Sequence, residues 1–329
     1  MFWLRPRSRW DIRGKLLGSA LMWIRVAIAV GVLTFVGAVA HAQTVPRSLE
    51  PYPLPSKARA ALCDLGGKND ILILGEIHGT QEVPAIAVAL LQPLTEQGYG
   101  AIALEIPSNE QKSLTDWATG KTETIPSFFT DPFPDGRGNV QALSLIRIAL
   151  SPPFKWRLIC FDQSWEEPDE AAVPQDEIAA SLRRDAKMAS NLMAERSRLA
   201  PNSKVLAICG NFHARTSNPA SAQNESDKQA GDLTGKLWPS FAARLRSDLA
   251  GRRVCSVSVM PHSGGYFAMT TTDDGKTSVG VQTIRGPRKI EEAEAHPLDN
   301  EPWDWELNLP HATPATFLTP PKNPFAAER

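Results

Sequence analysis

Five short runs of apolar residues recur along the middle of the chain, and none alternates cleanly with polar residues. They lie at residues 71–75 (ILILG), 101–105 (AIALE), 157–162 (RLICFD), 204–210 (KVLAICG) and 254–260 (VCSVSVM). Continuous apolar strands are typical of a sheet that is covered on both faces, which is usually a parallel sheet with crossover helices. The pattern therefore predicts five buried, mainly parallel strands.

Stretches with helical spacing of apolar residues lie between these strands. The predicted helices are residues 83–97, 109–117, 140–150, 175–199 and 241–249. Alternating strands and helices indicate an α/β fold with a mainly parallel central sheet and helices on both faces. Residues 266–272 and 278–284 flank the turn sequence DDGKT, which predicts an additional β-hairpin at a sheet edge.

The N-terminal residues have the pattern of a secretory signal peptide. A group of basic residues precedes an apolar stretch at 26–40, and the small-residue site Ala40-His41-Ala42 follows; the basic residues are Arg5, Arg7, Arg9, Arg13 and Lys15. This order predicts cleavage after Ala42. An uncleaved anchor starting at residue 16 would place Arg25 near the bilayer centre, which is costly. We therefore expect an exported protein, periplasmic or secreted, with no stable membrane span after cleavage.

The C-terminal residues 291–329 are rich in proline and acid and show no periodicity. This composition predicts an extended or disordered tail, which Trp303 and Trp305 could dock on the body. The expected organisation is a signal peptide at 1–42, an α/β domain at 43–290 and a tail at 291–329. The irregular stretches 121–139 and 217–235 are expected to lie beside the functional crevice and to recognise the substrate.

The near-zero net charge of the whole chain arises because a basic N-terminal segment, residues 1–42, offsets an acidic C-terminal segment, residues 291–329. The sequence has 35 basic and 36 acidic residues, but the leader carries six bases against one acid, and the tail carries eight acids against two bases. Residues 43–290 therefore hold 27 of each sign. A balanced domain disfavours a nucleic-acid binder that relies on neutralising phosphates, so no nucleic-acid partner is expected.

The four cysteines are spaced too widely for a C-x-x-C metal or redox motif. Cys160, Cys209 and Cys255 lie inside the predicted strands, where a small buried apolar residue is the expected role. The role of Cys63 stays open, as does any disulfide that an oxidising compartment would allow.

Ionisable residues follow four of the predicted strands. Glu76 and His78 follow the first strand, Glu105 ends the second, Asp162 ends the third, and Asn211, His213 and Arg215 follow the fourth. Since the carboxyl ends of parallel strands meet at one edge of the sheet, where such folds bind ligands, we expect these side chains to converge. Burying several acids together is costly, so their convergence indicates a functional site. His262, after the fifth strand, is a weaker candidate.

Several of these motifs resemble one superfamily across residues 68–270. The sequence GEIHGTQEVP followed by AIALE resembles the erythromycin esterase family, and the Glu76-x-His78 spacing is closer to the ChaN-like haem-binding family. Arg184-Asp185-x-x-Met188-Ala189 on the long helix is also similar to ChaN-like proteins. Gly210-Asn211-Phe212-His213 resembles the second Gly-x-x-His motif of Tiki and TraB proteins.

The resemblance implies roles for individual residues. His78 would be a base or ligand, with Glu76 orienting it or binding metal. Glu105 would be the acid after the second strand, and His213 the histidine of the second motif. The expected catalytic set is His78, Glu105, His213 and Glu76, and the expected substrate-binding set is Arg184, Asp162, Asn211 and Arg215. A helix-surface ion pair is an equal alternative for Arg184, and capping of the turn is the alternative for Asn211 and Arg215.

Two mechanisms fit these residue types. In the first, His78 is a general base that activates water against an ester or amide, while His213 or Arg184 supports the oxyanion. In the second, Glu76, His78 and His213 bind a divalent ion, for which Zn, Mn or Co suits imidazole and carboxylate ligands best. Water is the expected nucleophile, because the sequence has no Gly-x-Ser-x-Gly elbow.

The sequence therefore predicts an exported hydrolase that acts on an ester or amide bond of a small-molecule or peptide substrate. The alternative is a ChaN-like haem-binding protein without catalysis, in which His78 or His213 would hold the haem iron. A third interpretation, a module that only binds a partner through its tail, ranks below both, because Glu76, His78, Glu105 and His213 are all present.

Overall fold

The computed structural model describes residues 48–164, 177–217, 239–249, 253–271 and 277–323, all of which belong to one compact unit. The predicted signal peptide, and residues 218–235 of the predicted surface loop, lie outside the described residues. Within the described part of the chain, no helix is long and apolar enough to cross a membrane. All four cysteines lie in described segments, and each is a free thiol.

Seven of the described strands form one sheet; they are β1 (Ile71–Glu76), β2 (Tyr99–Pro107), β3 (Arg157–Asp162), β4 (Lys204–Gly210), β5 (Val254–Pro261), β8 (Glu294–Pro297) and β9 (Trp305–Leu309). Their order in the sheet is β3-β2-β4-β1-β5-β9-β8. Neighbouring strands pair in parallel from β3 to β9, and in this sheet only β8 runs antiparallel, beside β9. This arrangement confirms the predicted α/β fold with a mainly parallel sheet.

Five of the helices match the predicted ones to within a few residues. They are α2 (Glu82–Glu96), α3 (Gln111–Ala118), α5 (Val140–Leu150), α6 (Glu177–Arg196) and α7 (Phe241–Asp248). Helix α1 (Ser56–Lys68) and the single turn α4 (Ser127–Thr130) were not expected. Asn139 begins α5 by accepting a hydrogen bond from the backbone N–H of Ala142, at 2.8 Å.

Strand β1 shows why the apolar runs do not alternate. Leu72 and Leu74 belong to a core cluster with residues of α1, α2 and α5, whereas Ile71 and Ile73 belong to a second cluster with residues of α6 and α7. All four side chains are fully buried. Because successive side chains of a strand point to opposite faces, both faces of this sheet are covered by helices.

The predicted hairpin forms, but as a separate sheet. Strands β6 (Ser263–Thr271) and β7 (Thr277–Arg285) pair in an antiparallel two-stranded sheet. Backbone hydrogen bonds attach this hairpin to the body instead, from Gly265 N to Ala312 O at 3.0 Å and from Phe267 N to Gly79 O at 2.9 Å. The hairpin therefore lies against the loop that follows β1.

The structure corrects the boundary between domain and tail. Residues 294–297 and 305–309, which were expected in a tail outside the domain, are strands β8 and β9 of the main sheet. Leu307 and Leu309 are buried in the larger core cluster. The strand was hidden in the sequence because WELNL is short and places Glu306 and Asn308 between its apolar residues. Its partner β5 lies far away along the chain, so no local pattern reveals the pairing.

Candidate functional site

Four adjacent strands deliver ionisable groups to one edge of the sheet. Asp162 ends β3, Glu105 lies near the end of β2, His213 follows β4, and Glu76 ends β1. These strands are neighbours in the order β3-β2-β4-β1 and run in the same direction. Their carboxyl ends therefore meet at the crevice that open α/β sheets use for ligands, as the sequence predicts.

His78 lies between two carboxylates. Its Nδ1 donates to Glu76 Oε1 at 2.9 Å, and its Nε2 faces Glu105 Oε2 at 3.5 Å. The imidazole is 23% exposed, and Gly210 leaves room for it, since a Cβ there would lie 2.8 Å from His78 Nε2. Burial opposes the charged form, but Glu105 and Glu76 outweigh it and raise the pKa of His78 to about 10. His78 is therefore an imidazolium at neutral pH.

Glu105 is the centre of the cluster. Its Oε2 accepts a hydrogen bond from the backbone N–H of Gly210 at 2.8 Å. Its Oε1 accepts from Arg184 Nη2 at 2.6 Å and from Arg137 Nη1 at 3.1 Å. Burial favours the neutral acid, but the positive charges of His78 and Arg184 hold the pKa of Glu105 well below its usual range. Glu105 is therefore a buried carboxylate.

Asp162 is the anchor for both guanidinium groups. Its Oδ1 accepts from Arg184 Nε and its Oδ2 from Arg184 Nη2, both at 2.8 Å, and Oδ2 also accepts from Arg137 Nη1 at 2.5 Å. Burial disfavours this charge, but the hydrogen bonds from Arg184 lower the pKa of Asp162. The carboxylates in turn raise the pKa of each arginine against the effect of burial. Asp162 and Glu105 are thus two buried acids neutralised by two arginines.

His213 belongs to a second pair, with Asp185 of α6. Its Nδ1 lies 2.6 Å from Asp185 Oδ1, and its Nε2 lies 3.2 Å from Arg184 Nη1. Glu105 Oε1 is 3.8 Å from Nε2, beyond hydrogen-bond distance. A guanidinium can only donate hydrogen bonds, so Nε2 must accept and carries no proton, while Nδ1 carries the proton and donates to Asp185. Asp185 Oδ1 also accepts from the backbone N–H of Phe241 at 3.1 Å. The start of α7 therefore fixes the carboxylate that orients His213.

Two residues of this cluster were not among the predicted site residues. Asp185 follows Arg184 in the helix motif, and its proximity to a predicted site residue was the signal that could have revealed it. Arg137 lies in the irregular stretch 121–139, where no periodicity marks it. Its side chain is 11% exposed, and it donates to Asp135 Oδ2 at 2.8 Å as well as to the two buried acids.

The other predicted residues lie beside this cluster. Asn211 Oδ1 accepts from Ser258 Oγ at 3.1 Å, and its backbone N–H donates to Glu76 O at 3.0 Å. Arg215 is 2% exposed, and its Nε donates to Phe212 O at 3.0 Å. His262 contacts Asn308 of β9 through Nε2. The first two support the turn after β4, and His262 lies against β9.

A C-terminal segment holds the loops of the site. We call residues 313–316 the strap. Ala315 N donates to Gly79 O at 2.8 Å, and Gln81 N donates to Thr313 O at 3.0 Å, which ties the strap to the loop after His78. At its other end, Thr316 O accepts from Val140 N at 2.8 Å, at the start of α5. The strap thus joins the His78 loop to the element that follows Arg137.

The donor set does not fit the expected metal ion. Glu76 and His78 bond each other, and the free nitrogen of His213 lies 3.2 Å from the Arg184 guanidinium, closer than the 3.8 Å to Glu105 Oε1. Arg137 and Arg184 would place two fixed positive charges beside a cation. Accordingly, no group of three or more His, Cys, Asp or Glu side chains among the described residues has the geometry of a metal site. Haem ligation meets the same obstacle, because His78 Nε2 faces Glu105 and His213 Nε2 faces Arg184.

Fold and site together define an α/β protein with a histidine, carboxylate and arginine cluster at the carboxyl edge of a parallel sheet. No family model matches the chain, and no curated protein matches it in sequence. Solved structures of similar fold do exist. A succinoglycan biosynthesis protein is 13% identical with a TM-score of 0.56, and the match covers 84% of this chain and 95% of that one.

The second similar structure is a mutant of erythromycin esterase EreC in its open conformation. It is 14% identical, its TM-score is 0.54, and the match covers 79% of this chain and 95% of EreC. At such identities the likeness establishes the fold alone. It confirms the fold that the resemblance to the erythromycin esterase superfamily implied.

Proposed function

We propose that this protein is a hydrolase that cleaves an ester or amide bond with a water molecule activated by His213. The observation that carries the proposal is the Asp185–His213 pair, with 2.6 Å between Oδ1 and Nδ1. A carboxylate that fixes the Nδ1–H tautomer of a histidine leaves the Nε2 lone pair ready to take a proton. The similarity in fold to erythromycin esterase EreC supports the same class of reaction.

This assignment differs from the expectation that His78 is the base. An imidazolium with its pKa raised to about 10 has no lone pair for a proton at neutral pH. His78 instead supplies positive charge and an Nε2–H group, since its contact with Glu105 is 3.5 Å, longer than a good hydrogen bond. In the proposed reaction it is an electrostatic partner of the substrate oxygen.

Substrate binding comes first: Arg184 Nη1 moves from His213 to the carbonyl oxygen, which frees the Nε2 lone pair of His213. His213 Nε2 then takes a proton from water as the water oxygen attacks the carbonyl carbon. The carbonyl oxygen becomes an oxyanion, which Arg184 Nη1 and the Nε2–H of His78 stabilise. The tetrahedral intermediate then collapses: the bond to the leaving alcohol or amine breaks, and His213 returns its proton to that group.

The exposure of the individual side chains supports this division of roles. Arg184 is 31% exposed and His78 is 23% exposed, whereas the side chains of Glu105, Asp162 and Asp185 are 3–4% exposed. The groups that an incoming carbonyl would meet are thus the two cations. The acids behind them keep both cations charged and in place.

The test is hydrolysis by the purified protein of 4-nitrophenyl acetate, short peptides and erythromycin, the last chosen because a structure of similar fold is an erythromycin esterase. We expect His213→Ala to lower kcat/KM about 10²- to 10⁴-fold, the usual contribution of a general base. His296→Ala is the matched control, since His296 lies on β8 and its side chain is 39% exposed. Equal rates for wild type and His213→Ala would refute the proposal.

A chelator separates the two mechanisms considered for the site. We expect EDTA to leave the rate of the wild-type protein unchanged, because the donor set does not fit a metal ion. Loss of activity in EDTA, with recovery on adding Zn²⁺ or Mn²⁺, would return the metal mechanism to first place. A stoichiometric haem absorbance in the purified protein would favour the ChaN-like alternative.

Export remains part of the proposal. The basic leader, the apolar stretch and Ala40-His41-Ala42 support cleavage after Ala42. The check is N-terminal sequencing of the protein isolated from cells that express the full chain. We expect a mature N-terminus at Gln43, and an intact Met1 in the bulk of the protein would contradict export by this route.

A further inference from the structure

We propose that Arg137 is a positioning residue of this site. It holds Glu105 and Asp162 so that the Nη1 group of Arg184 stays directed toward the substrate. This inference rests on the proposed hydrolase function and deepens it. Arg137 contacts neither His78 nor His213 by hydrogen bond; it acts through the two buried acids. Neither sequence motif nor helical periodicity marks it.

Arg137 and Arg184 share two carboxylate oxygens. Glu105 Oε1 and Asp162 Oδ2 each accept hydrogen bonds from both arginines, from Arg184 Nη2 and from Arg137 Nη1. Arg137 Nη1 also donates to the backbone oxygen of Glu105 at 3.2 Å. Two carboxylates, each 4% exposed, thus meet two guanidinium groups. Buried charges of this kind are tolerated only when each has its partner.

The loss of Arg137 would change the charge balance around Arg184. Without Arg137, Arg184 alone would face two buried carboxylates. It would be drawn toward them, away from His213 Nε2, which its Nη1 now approaches at 3.2 Å. Arg184 would then be misplaced for the carbonyl oxygen, although the substrate could still enter. Misplacement by about 1 Å can cost about 10²-fold in rate.

Arg137 is itself held in place by its neighbours in the loop. Its Nε donates to Asp135 Oδ2 at 2.8 Å, and its backbone N–H donates to Asp135 Oδ1 at 3.0 Å. Gly136, with φ of +90°, packs so closely on the His78 loop that a Cβ would lie 2.5 Å from Gly79 N. Asn139 Nδ2 donates to Gly136 O at 2.8 Å. The guanidinium is therefore fixed before any substrate binds, as positioning requires.

The experiment compares Arg137→Gln, Arg137→Lys and the control Arg147→Gln with wild type, using 4-nitrophenyl acetate. Arg147 lies on α5 over the ring of Trp117, outside the cluster. We expect Arg137→Gln to lower kcat about 10- to 10²-fold with KM nearly unchanged. Arg137→Lys should restore part of kcat, because it keeps the charge but not the fork of donors. Arg147→Gln should keep the wild-type kcat.

A crystal structure of Arg137→Gln shows the position of Arg184 without any measurement of activity. We expect Arg184 Nη1 to have left hydrogen-bond distance of His213 Nε2. If Arg137→Gln does not fold, Arg137→Lys carries both measurements. If the wild type fails to hydrolyse any ester or peptide, the proposed function is refuted, and the position of Arg184 alone decides the role of Arg137. A wild-type kcat in Arg137→Gln, or an unmoved Arg184, would overturn the proposal.

Discussion

His78 has a carboxylate on each side of its ring, and this placement determines which proton it can move. Glu76 and Glu105 hold it in the charged form, although its ordinary pKa lies near 6.5. Within hydrogen-bond distance, His213 has one carboxylate, that of Asp185, and one guanidinium, that of Arg184, while Glu105 Oε1 lies 3.8 Å from Nε2. One of its nitrogens is therefore left without a proton. Two histidines with similar motifs in the sequence thus have opposite roles, because their neighbours differ.

The raised pKa of His78 predicts how stability changes with pH. A group whose pKa is raised on folding stabilises the native state fully below its unfolded pKa, and loses that contribution as pH rises through the folded value. For His78 this window runs from about pH 6.5 to about pH 10. We expect the free energy of unfolding of wild type to exceed that of His78→Gln most at pH 6.5 and below, and this excess to fall as the pH rises toward 10.

Urea unfolding of both proteins at several pH values measures this difference. His296→Gln is the control, because its ring faces Glu306 at 3.7 Å on an exposed strand outside the site. A gap between wild type and His78→Gln that stays constant from pH 6.5 to 10 would show that His78 is not charged by its neighbours.

Asp185 gives a second prediction at the level of one residue. Asp185→Asn keeps the shape of the side chain but removes its charge, and its amide can donate as well as accept. His213 would then lose the partner that fixes its Nδ1–H tautomer. We expect kcat for 4-nitrophenyl acetate to fall by about 10²-fold or more, with little change in KM. Asp64→Asn is the control for a general effect of lost charge, because Asp64 pairs with Lys68 on α1, outside the site.

At the level of elements, the site depends on a close contact between two loops. Gly79 follows His78 with φ of +77°, and Gly136 precedes Arg137 with φ of +90°. A Cβ on Gly136 would lie 2.5 Å from Gly79 N and 2.6 Å from Gly79 Cα. These are backbone atoms, which cannot turn away. Only glycine lets the Arg137 loop pack on the His78 loop.

Gly136→Ala therefore has a matched control in Gly120→Ala. Gly120 also has φ of +77°, but nothing lies within 4 Å of a Cβ there. Both substitutions carry the left-handed strain of about 1–2 kcal/mol. We expect Gly136→Ala to lower the free energy of unfolding by about 1–3 kcal/mol more than Gly120→Ala does, which is the usual penalty of overpacking. Gly136→Ala should also lower the hydrolytic activity. Equal free energies of unfolding for the two variants would show that the loop contact is unimportant.

The elements also show what the sequence could predict. Glu76, Glu105, Asp162 and His213 were predicted together because residues past the carboxyl ends of neighbouring parallel strands must converge. Arg184 was found through its motif. Arg137 could not be predicted, since its position depends on a long loop and on the contact of Gly136 with Gly79. The tautomer of His213 depends on Arg184 and Asp185, which no spacing in the sequence reveals.

At the scale of the whole molecule, the C-terminal residues complete both the sheet and the site. Strand β9 covers the edge of β5, and the strap ties the His78 loop to the start of α5. The composition of this region is typical of a disordered tail, because its apolar residues are few and separated. Burial of Leu307 and Leu309 against the core outweighs that tendency. Long-range pairing of this kind has no local signal in the sequence.

Truncation tests this conclusion. A chain that ends at Ile290, the boundary expected from composition, would expose the edge of β5 and lose β8, β9 and the strap. We expect it to aggregate or to lose cooperative thermal unfolding. A chain that ends at Asn323 keeps every described element and should unfold like the full chain. Circular dichroism on heating measures both, and cooperative unfolding of the shorter chain at the full-length temperature would contradict the role of β9.

The most direct measurement of the central claim is the protonation state of the two histidine rings, read by long-range ¹H–¹⁵N NMR at neutral pH. The structure predicts that His213 is neutral, with its proton on Nδ1 beside Asp185, and that His78 carries protons on both nitrogens. Substituting each histidine in turn assigns the signals. A neutral His78 together with a doubly protonated His213 would reverse the two roles and contradict the mechanism.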